Sequence, residues 1–307
     1  MPEQKLIQDP EYGYLRLDPI PSLEVVERLY KEEYYAPDYK PFHEAGQKSK
    51  ERDVDYNRPR YQQLLDIAGQ KLGGLNGLRL YDLGCGFGGL LRQATGQGLE
   101  VQGCDLSPVA VDYVLDKGSS CHQANIELDF GAPPEQRFDL VTMLCVLQHL
   151  RHPAQTLFRV REELLTEDGV LVVEVPNEFN VFQTVADQEY NLGRWWVSAP
   201  EHIAYFTAQT IKDTLEGCGY VVFEMYASFP MELFLVMGDV YVGDQAIGAR
   251  CHQRRVRFEE LMRKHGKSGE LLEFYRALAR LGLGRQVTCL ATPHPYTKKI
   301  EPKTLRE

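Results

Sequence analysis

An apolar run that ends on an acid, breaks into a cluster of glycines and then resumes at helical spacing occupies residues 80–91, Leu-Tyr-Asp-Leu-Gly-Cys-Gly-Phe-Gly-Gly-Leu-Leu. A strand feeding a glycine turn feeding a helix brings backbone N–H groups and a helix N-terminus close to a bulky cofactor. Gly84, Gly86 and Gly89 satisfy G-x-G-x-x-G, the dinucleotide fingerprint, and Asp105 stands where its ribose-binding acid would fall. Gly84, Gly86 and Gly88 equally satisfy G-x-G-x-G, and Asp82 then lies two residues before the first glycine. A carboxylate there repels a pyrophosphate and attracts a cofactor carrying an ammonium and a sulfonium.

The surrounding chain fits a parallel sheet. From residue 77 short apolar strands alternate with helices: strands near 78–83, 99–104, 119–123, 138–144, 169–175, 220–227 and 286–292, helices near 88–97, 107–117, 154–165 and 208–218. Such alternation argues for an α/β, doubly wound, Rossmann-like sheet covered on both faces. We expect four regions: an N-terminal helical lid or substrate segment (1–76), the core (77–228), a helical insertion on the substrate side (229–284), and the last strand with its tail (285–307). Within the first region, 22–35 and 58–72 carry helical spacing and the stretch between them reads as loop. Residues 176–207, with Trp195 and Trp196, form a long connection of the kind that walls a site.

The further motifs come in order. The second strand ends at Asp105, which can accept both hydroxyls of a ribose, and Ser107-Pro108 marks a helix start. Asn125 offers a donor and an acceptor to an adenine edge and Ile126 an apolar face, though Asn in a loop is also a common turn residue. Then follow Phe138-Asp139 with an apolar strand, Val146-Leu147-Gln148-His149-Leu150 and, beyond Gly169, a strand closing on Val175-Pro176-Asn177. With Asp-Leu-Gly-Cys-Gly-Phe-Gly, this succession over residues 78–220 resembles the class I S-adenosylmethionine-dependent methyltransferases, of the small-molecule type.

The resemblance implies a seven-stranded sheet with its last strand antiparallel and S-adenosyl-L-methionine as cofactor. It implies cofactor contacts from Asp82, the turn Gly84-Cys85-Gly86 with Gly88, Asp105, Leu106, Asn125, Ile126, Leu144 and Gln148. Transfer to an alcohol also needs a base. His202 is the candidate general base, with Glu201 beside it to orient the ring or raise its basicity, and His149 is a second candidate; a packed structural histidine is the alternative for each. The run Glu201-His202 to Tyr205-Phe206 also resembles enzymes that methylate deoxysugar carbons. Their pattern carries a tyrosine where this chain has Ala199, and their cysteine-rich zinc module is absent. In the quinone-pathway O-methyltransferases carboxylates surround the matching histidine and can bind a metal. Here the neighbours are Cys145 and Gln148, so no metal is expected.

Charge narrows the partners. A net charge of −10 argues against bulk nucleic acid, and no apolar run is long enough for a membrane. Seven scattered cysteines without C-x-x-C spacing, and no leader pattern at the N-terminus, fit a reduced cytoplasmic protein. Residues 249–264 depart from the balance, with six basic against two acidic residues; they form either a solvated helix face or a cluster meeting an anionic acceptor through Arg254, Arg255 or Arg257. The early tyrosines, Tyr12 to Tyr61, and the tryptophans either line a pocket or pack the N-terminal segment. The expected activity is O-methylation of a small molecule, with a homodimer as the expected assembly. N- or C-methylation of a sugar or nucleotide-sugar, an NAD-dependent oxidoreductase and a non-catalytic cofactor-binding scaffold are the alternatives.

Overall fold

The computed structural model describes residues 5–34, 46–133 and 135–294, with residues 46–56 described as backbone. Its main sheet contains β3 (Arg79–Leu83), β4 (Glu100–Asp105), β5 (Ser120–Gln123), β6 (Phe138–Leu144), β7 (Leu165–Pro176), β9 (Tyr220–Ala227) and β10 (Gln286–Pro293). The order is β5-β4-β3-β6-β7-β10-β9. β3 to β7 pair in parallel, whereas β10 runs antiparallel to both β7 and β9. Their near-continuous apolar runs (Val170 to Val173 in β7) suit strands covered on both faces. The strand order reverses around β3 and β6, so a crevice opens at their carboxyl ends, where open α/β sheets bind ligands.

Helices complete each crossover: α3 (Gly89–Thr95) after β3, α4 (Pro108–Asp116) after β4, α5 (Pro153–Arg159) after β6 and α7 (Ala208–Gly217) before β9. Each expected core strand and helix occurs, with ends shifted by a few residues; β7 starts earlier, at Leu165. The 176–207 connection contains α6 (Val181–Tyr190), and the 229–284 segment contains α8 (Glu232–Val236), α9 (Gln245–Lys264) and α10 (Ser268–Arg280). Among the described residues no helix is long and apolar enough to cross a membrane.

The N-terminal region differs from the all-helical expectation. β1 (Lys5–Gln8) and β2 (Leu15–Asp18) form a hairpin, and β2 pairs with β8 (Ala204–Tyr205) to make a second, three-stranded sheet. Strands of four residues with charges among them carry little periodic signal, and the partner of β2 lies far along the chain. Leu17, Val26, Ile203 and Tyr205 bury together under this sheet. α1 (Leu23–Arg28) follows, with Ser22 capping it, and runs on into a single π turn, Leu29–Glu33. α2 spans Gly46–Leu72, so the expected loop gives way to helix from residue 46, and Pro59 sits inside it. That stretch is rich in Lys, Glu, Arg and Gln, good helix formers, yet has no apolar stripe to announce a helix. Tyr35 and Tyr39 lie outside the described residues, as does the ring of Tyr56.

The end of β7 is fastened by Asn177, which is fully buried. Its Nδ2 donates to the carbonyls of Gly282 and Gly284 at 3.0 Å each, and its Oδ1 accepts from Ala208 N at 2.9 Å. One side chain thereby joins β7, the approach to β10 and the start of α7. Asn177→Ala orphans these buried groups and is expected to cost about 3 kcal/mol, read as a lower urea midpoint at unchanged m-value.

Candidate active site

A cleft enclosing about 690 Å³ of empty space, open to solvent, lies over the carboxyl ends of β3, β4 and β6. Its floor is the glycine turn. Gly84 has φ +70°, and a Cβ there would come within 2.5 Å of Val146 Cγ2, so no other residue fits without a shift. Asp105 lines the cleft with both oxygens fixed: Gly86 N donates to Oδ2 and Ser107 N to Oδ1, each at 2.9 Å. Burial pushes its pKa up, and these backbone donors oppose the shift. Each oxygen keeps a further lone pair, enough to accept from two neighbouring hydroxyls.

Leu106, Asn125 and Ile126 line the same cleft. Asn125 already accepts from Glu127 N at 3.1 Å and donates to Glu27 Oε1 at 3.0 Å, which fixes its amide and leaves one N–H. The other expected cofactor residues lie elsewhere. Asp82 is buried beneath the turn, accepting from Thr142 Oγ1 at 2.6 Å. Burial, with Asp105 adding repulsion, pushes its pKa up to about 7. Cys85 turns its thiol to Cys121, 3.5 Å away and also buried. Leu144 and Gln148 do not line the cleft, because Leu144 packs against the core and Gln148 is buried against His149.

The roof comes from a region the glycine motif does not announce. Val26, Tyr30 and Tyr34, on α1 and the π turn after it, line the cleft. Tyr12, Tyr14 and Tyr61 instead pack with the core, and Trp196 is buried with Trp195 edge-on to it.

His149 lines the cleft, and its partners define its tautomer. Gln148 Nε2 lies 3.0 Å from Nε2, while the Glu201 carbonyl and the Tyr30 hydroxyl each lie 2.7 Å from Nδ1. Only a ring protonated at Nδ1 satisfies both sides, donating to the carbonyl and accepting from the amide. Burial, with His202 adding repulsion, lowers its pKa to about 4. His202 stands behind it, ring centroids 5.1 Å apart, and does not itself line the cleft.

The carboxylate facing His202 is Glu178, not the expected Glu201. His202 Nδ1 lies 3.4 Å from Glu178 Oε1, whereas the Glu201 carboxylate accepts from Ser198 Oγ at 3.3 Å. Glu201 belongs to the turn that His202 N closes onto the Ser198 carbonyl, and its carboxylate stays inside that turn, on Ser198. Glu178 follows Asn177 directly; no spacing in the chain links it to His202. Burial raises the Glu178 pKa, and His202 opposes the rise. Among the described residues no group of three or more His, Cys, Asp and Glu is placed to hold a metal ion.

The His149 shift has a sign that can be measured. The unfolded chain binds a proton below its ordinary 6.5, whereas the folded ring stays neutral to about 4, so stability is lost as pH falls through that window. Urea midpoints for the protein and for His149→Gln, compared at neutral pH and near the lower limit, are expected to converge as pH falls.

A family model described as a methyltransferase domain matches residues 51–224. Ubiquinone biosynthesis O-methyltransferases from Alkalilimnicola ehrlichii and Glaesserella parasuis are 35% identical over 99 residues and 30% identical over 116. These matches take in 30% and 35% of this chain but 40% and 49% of the relatives, so the chain spans less than half the length of the curated relatives it matches. The plantazolicin methyltransferase BpumL, solved with SAH, superposes with a TM-score of 0.53 at 12% identity, over 90% of this chain and 98% of that one. A SAM-dependent methyltransferase from Archaeoglobus fulgidus gives 0.50 at 17% identity, over 78% and 93%. At such identities the two structures speak for the fold. The family match, the seven-stranded sheet and the glycine turn together make this chain a member of the class I S-adenosylmethionine-dependent methyltransferases.

Proposed function

We propose that the protein methylates a hydroxyl of a small molecule beside this cleft, with His202, which packs against the cleft residue His149 and keeps a fifth of its side chain exposed, as general base and Glu178 as the residue that positions it. The cofactor fits the residues present. Asp105 would hold the ribose diol, Leu106 and Ile126 would flank the adenine, the last N–H of Asn125 would meet its edge, and the turn at Gly84 admits close approach. Bound there, S-adenosylmethionine supplies an electrophilic methyl group. The protein must then hold the acceptor in line and take its proton.

The Glu178–His202 contact carries this reading. Nδ1 faces the carboxylate at ion-pair distance without a well-aligned hydrogen bond; a proton held on that side would leave Nε2 its lone pair, and the buried carboxylate would offset the charge that follows. His149 is the poorer base, because its Nε2 already accepts from Gln148 and burial holds its pKa down near 4, so the ring takes up a proton reluctantly. Its bond to the Glu201 carbonyl instead fixes the backbone next to His202. The partial matches to O-methyltransferases support oxygen as the acceptor atom.

S-adenosylhomocysteine is expected to stabilise the fold by about 2.7 kcal/mol at a hundredfold excess over its Kd, a shift of several degrees in Tm, and NAD by nothing. Stabilisation by NAD alone would reverse the assignment. On a panel of phenolic and polyol acceptors with labelled methyl donor, His202→Gln should lower kcat by roughly a hundredfold or more at unchanged S-adenosylhomocysteine affinity. Glu178→Gln should lower it less and shift the pH profile. Near-normal turnover in His202→Gln would remove His202 from the role.

A further inference from the structure

A second cavity, with about 610 Å³ of empty space, opens at the same edge of the sheet, over β7, β10 and β9 and beneath α2, α9 and α10. Cys145 stands between the two cavities. It lines the cofactor cleft, and its thiol meets Glu174 Oε1 at 3.2 Å and Gln286 Nε2 at 3.1 Å, both residues of the second cavity. Its backbone holds φ at +57°, an uncommon conformation for a residue with a side chain.

The charges in that cavity are unevenly engaged. Glu174 is saturated: Arg60 pairs with it through two nitrogens, Thr288 Oγ1 donates to it at 2.9 Å and Cys145 adds a third partner. Glu259 accepts from Arg263 at 3.2 Å and from the Tyr275 hydroxyl at 2.8 Å. Arg263 commits one nitrogen to that bond, and its remaining donors meet no partner among the described residues. Arg255 adds a second cation from the same helix; burial lowers its pKa, and the charges of Arg285 and Arg263 lower it further, against Glu259 and Tyr275. Tyr226 is buried at the cavity wall, near Thr288 and Gln63, with no well-aligned hydrogen bond to its hydroxyl. Arg263 thus keeps donors at the cavity wall, beside Arg255, whose guanidinium also meets His252 Nδ1 at 3.4 Å, and this paired positive charge makes an oxyanion the complementary ligand. The other arginines of this helix named from the sequence point elsewhere: Arg254 pairs with Asp239 at 2.6 Å, and Arg257 is exposed.

We propose that the second cavity is the acceptor subsite and that Arg263 and Arg255 bind there the anionic end of the acceptor, a carboxylate or a phosphate. The assignment rests on the methyl-transfer reading, since it places the acceptor beside the cofactor cleft across Cys145. It requires an acceptor that carries a methylatable hydroxyl at one end and an oxyanion at the other.

The test uses the full chain loaded with S-adenosylhomocysteine and titrates inorganic phosphate and benzoate at constant ionic strength, by calorimetry and melting temperature. At least one anion is expected to bind, phosphate alone marking a phosphorylated acceptor and benzoate alone a carboxylated one. Arg263→Gln and Arg255→Gln should each weaken that binding about tenfold or more, with S-adenosylhomocysteine affinity unchanged. Arg263 is a third exposed, so its variant should fold even where Arg255→Gln does not. Absence of binding by both anions, or equal binding by Arg263→Gln, overturns the assignment and leaves methyl transfer standing. Failure to bind S-adenosylhomocysteine overturns the methyl-transfer reading instead.

Discussion

The close approach of the β3–α3 turn to the end of β6 sets everything else at the cleft. Gly84 brings the chain against Val146 with no room for a Cβ, and the next glycine turns its N–H onto Asp105. Because Ser107 N holds the other oxygen of the same carboxylate, the turn, the tip of β4 and the start of α4 share one anchor. A pre-fixed carboxylate loses little freedom when a diol arrives, which is how a scaffold makes a binding site selective rather than merely sticky. The roof depends on this floor, since Glu27 reaches Asn125 and Tyr30 reaches His149 only if β4 to β6 end where they do.

A second polar anchor lies in the sheet itself. Glu174 is almost wholly buried, yet it ties α2 to β7 and β10 through Arg60 and Thr288. Buried ion pairs add little net stability, because desolvation offsets the attraction, but breaking one is costly and their geometry is exacting. Here the pair fixes how α2 lies across the sheet and where Cys145 sits. It separates a cofactor side, rich in backbone donors, from a side rich in arginine.

Much of the core was readable because its signals are local. Strands such as Val170 to Val173 announce themselves by apolar runs, and Asp105 and Asn125 by standing at strand ends. Asp82 drew notice through its charge, expected to attract the cationic end of the cofactor; the structure adds that it is buried beneath the turn and accepts from Thr142, which its place in the sequence does not announce. The hairpin of β1 and β2 was invisible, because its strands are short and its third partner, β8, lies nearly two hundred residues on. Glu178 was missed for the same reason: its role depends on meeting His202 across a loop, and no periodicity encodes that meeting.

The sequence alone determined the sheet and the glycine turn, because strand periodicity, φ-tolerant glycines and strand-tip acids act over a few residues, and its ordered motifs, by their resemblance to a known family, pointed to the cofactor. The tertiary structure decided which carboxylate faces His202, which tyrosines roof the cleft, and which of several arginines look into a cavity. Those outcomes depend on side-chain direction and on contacts between distant segments, and both are fixed only when the helices settle onto the sheet.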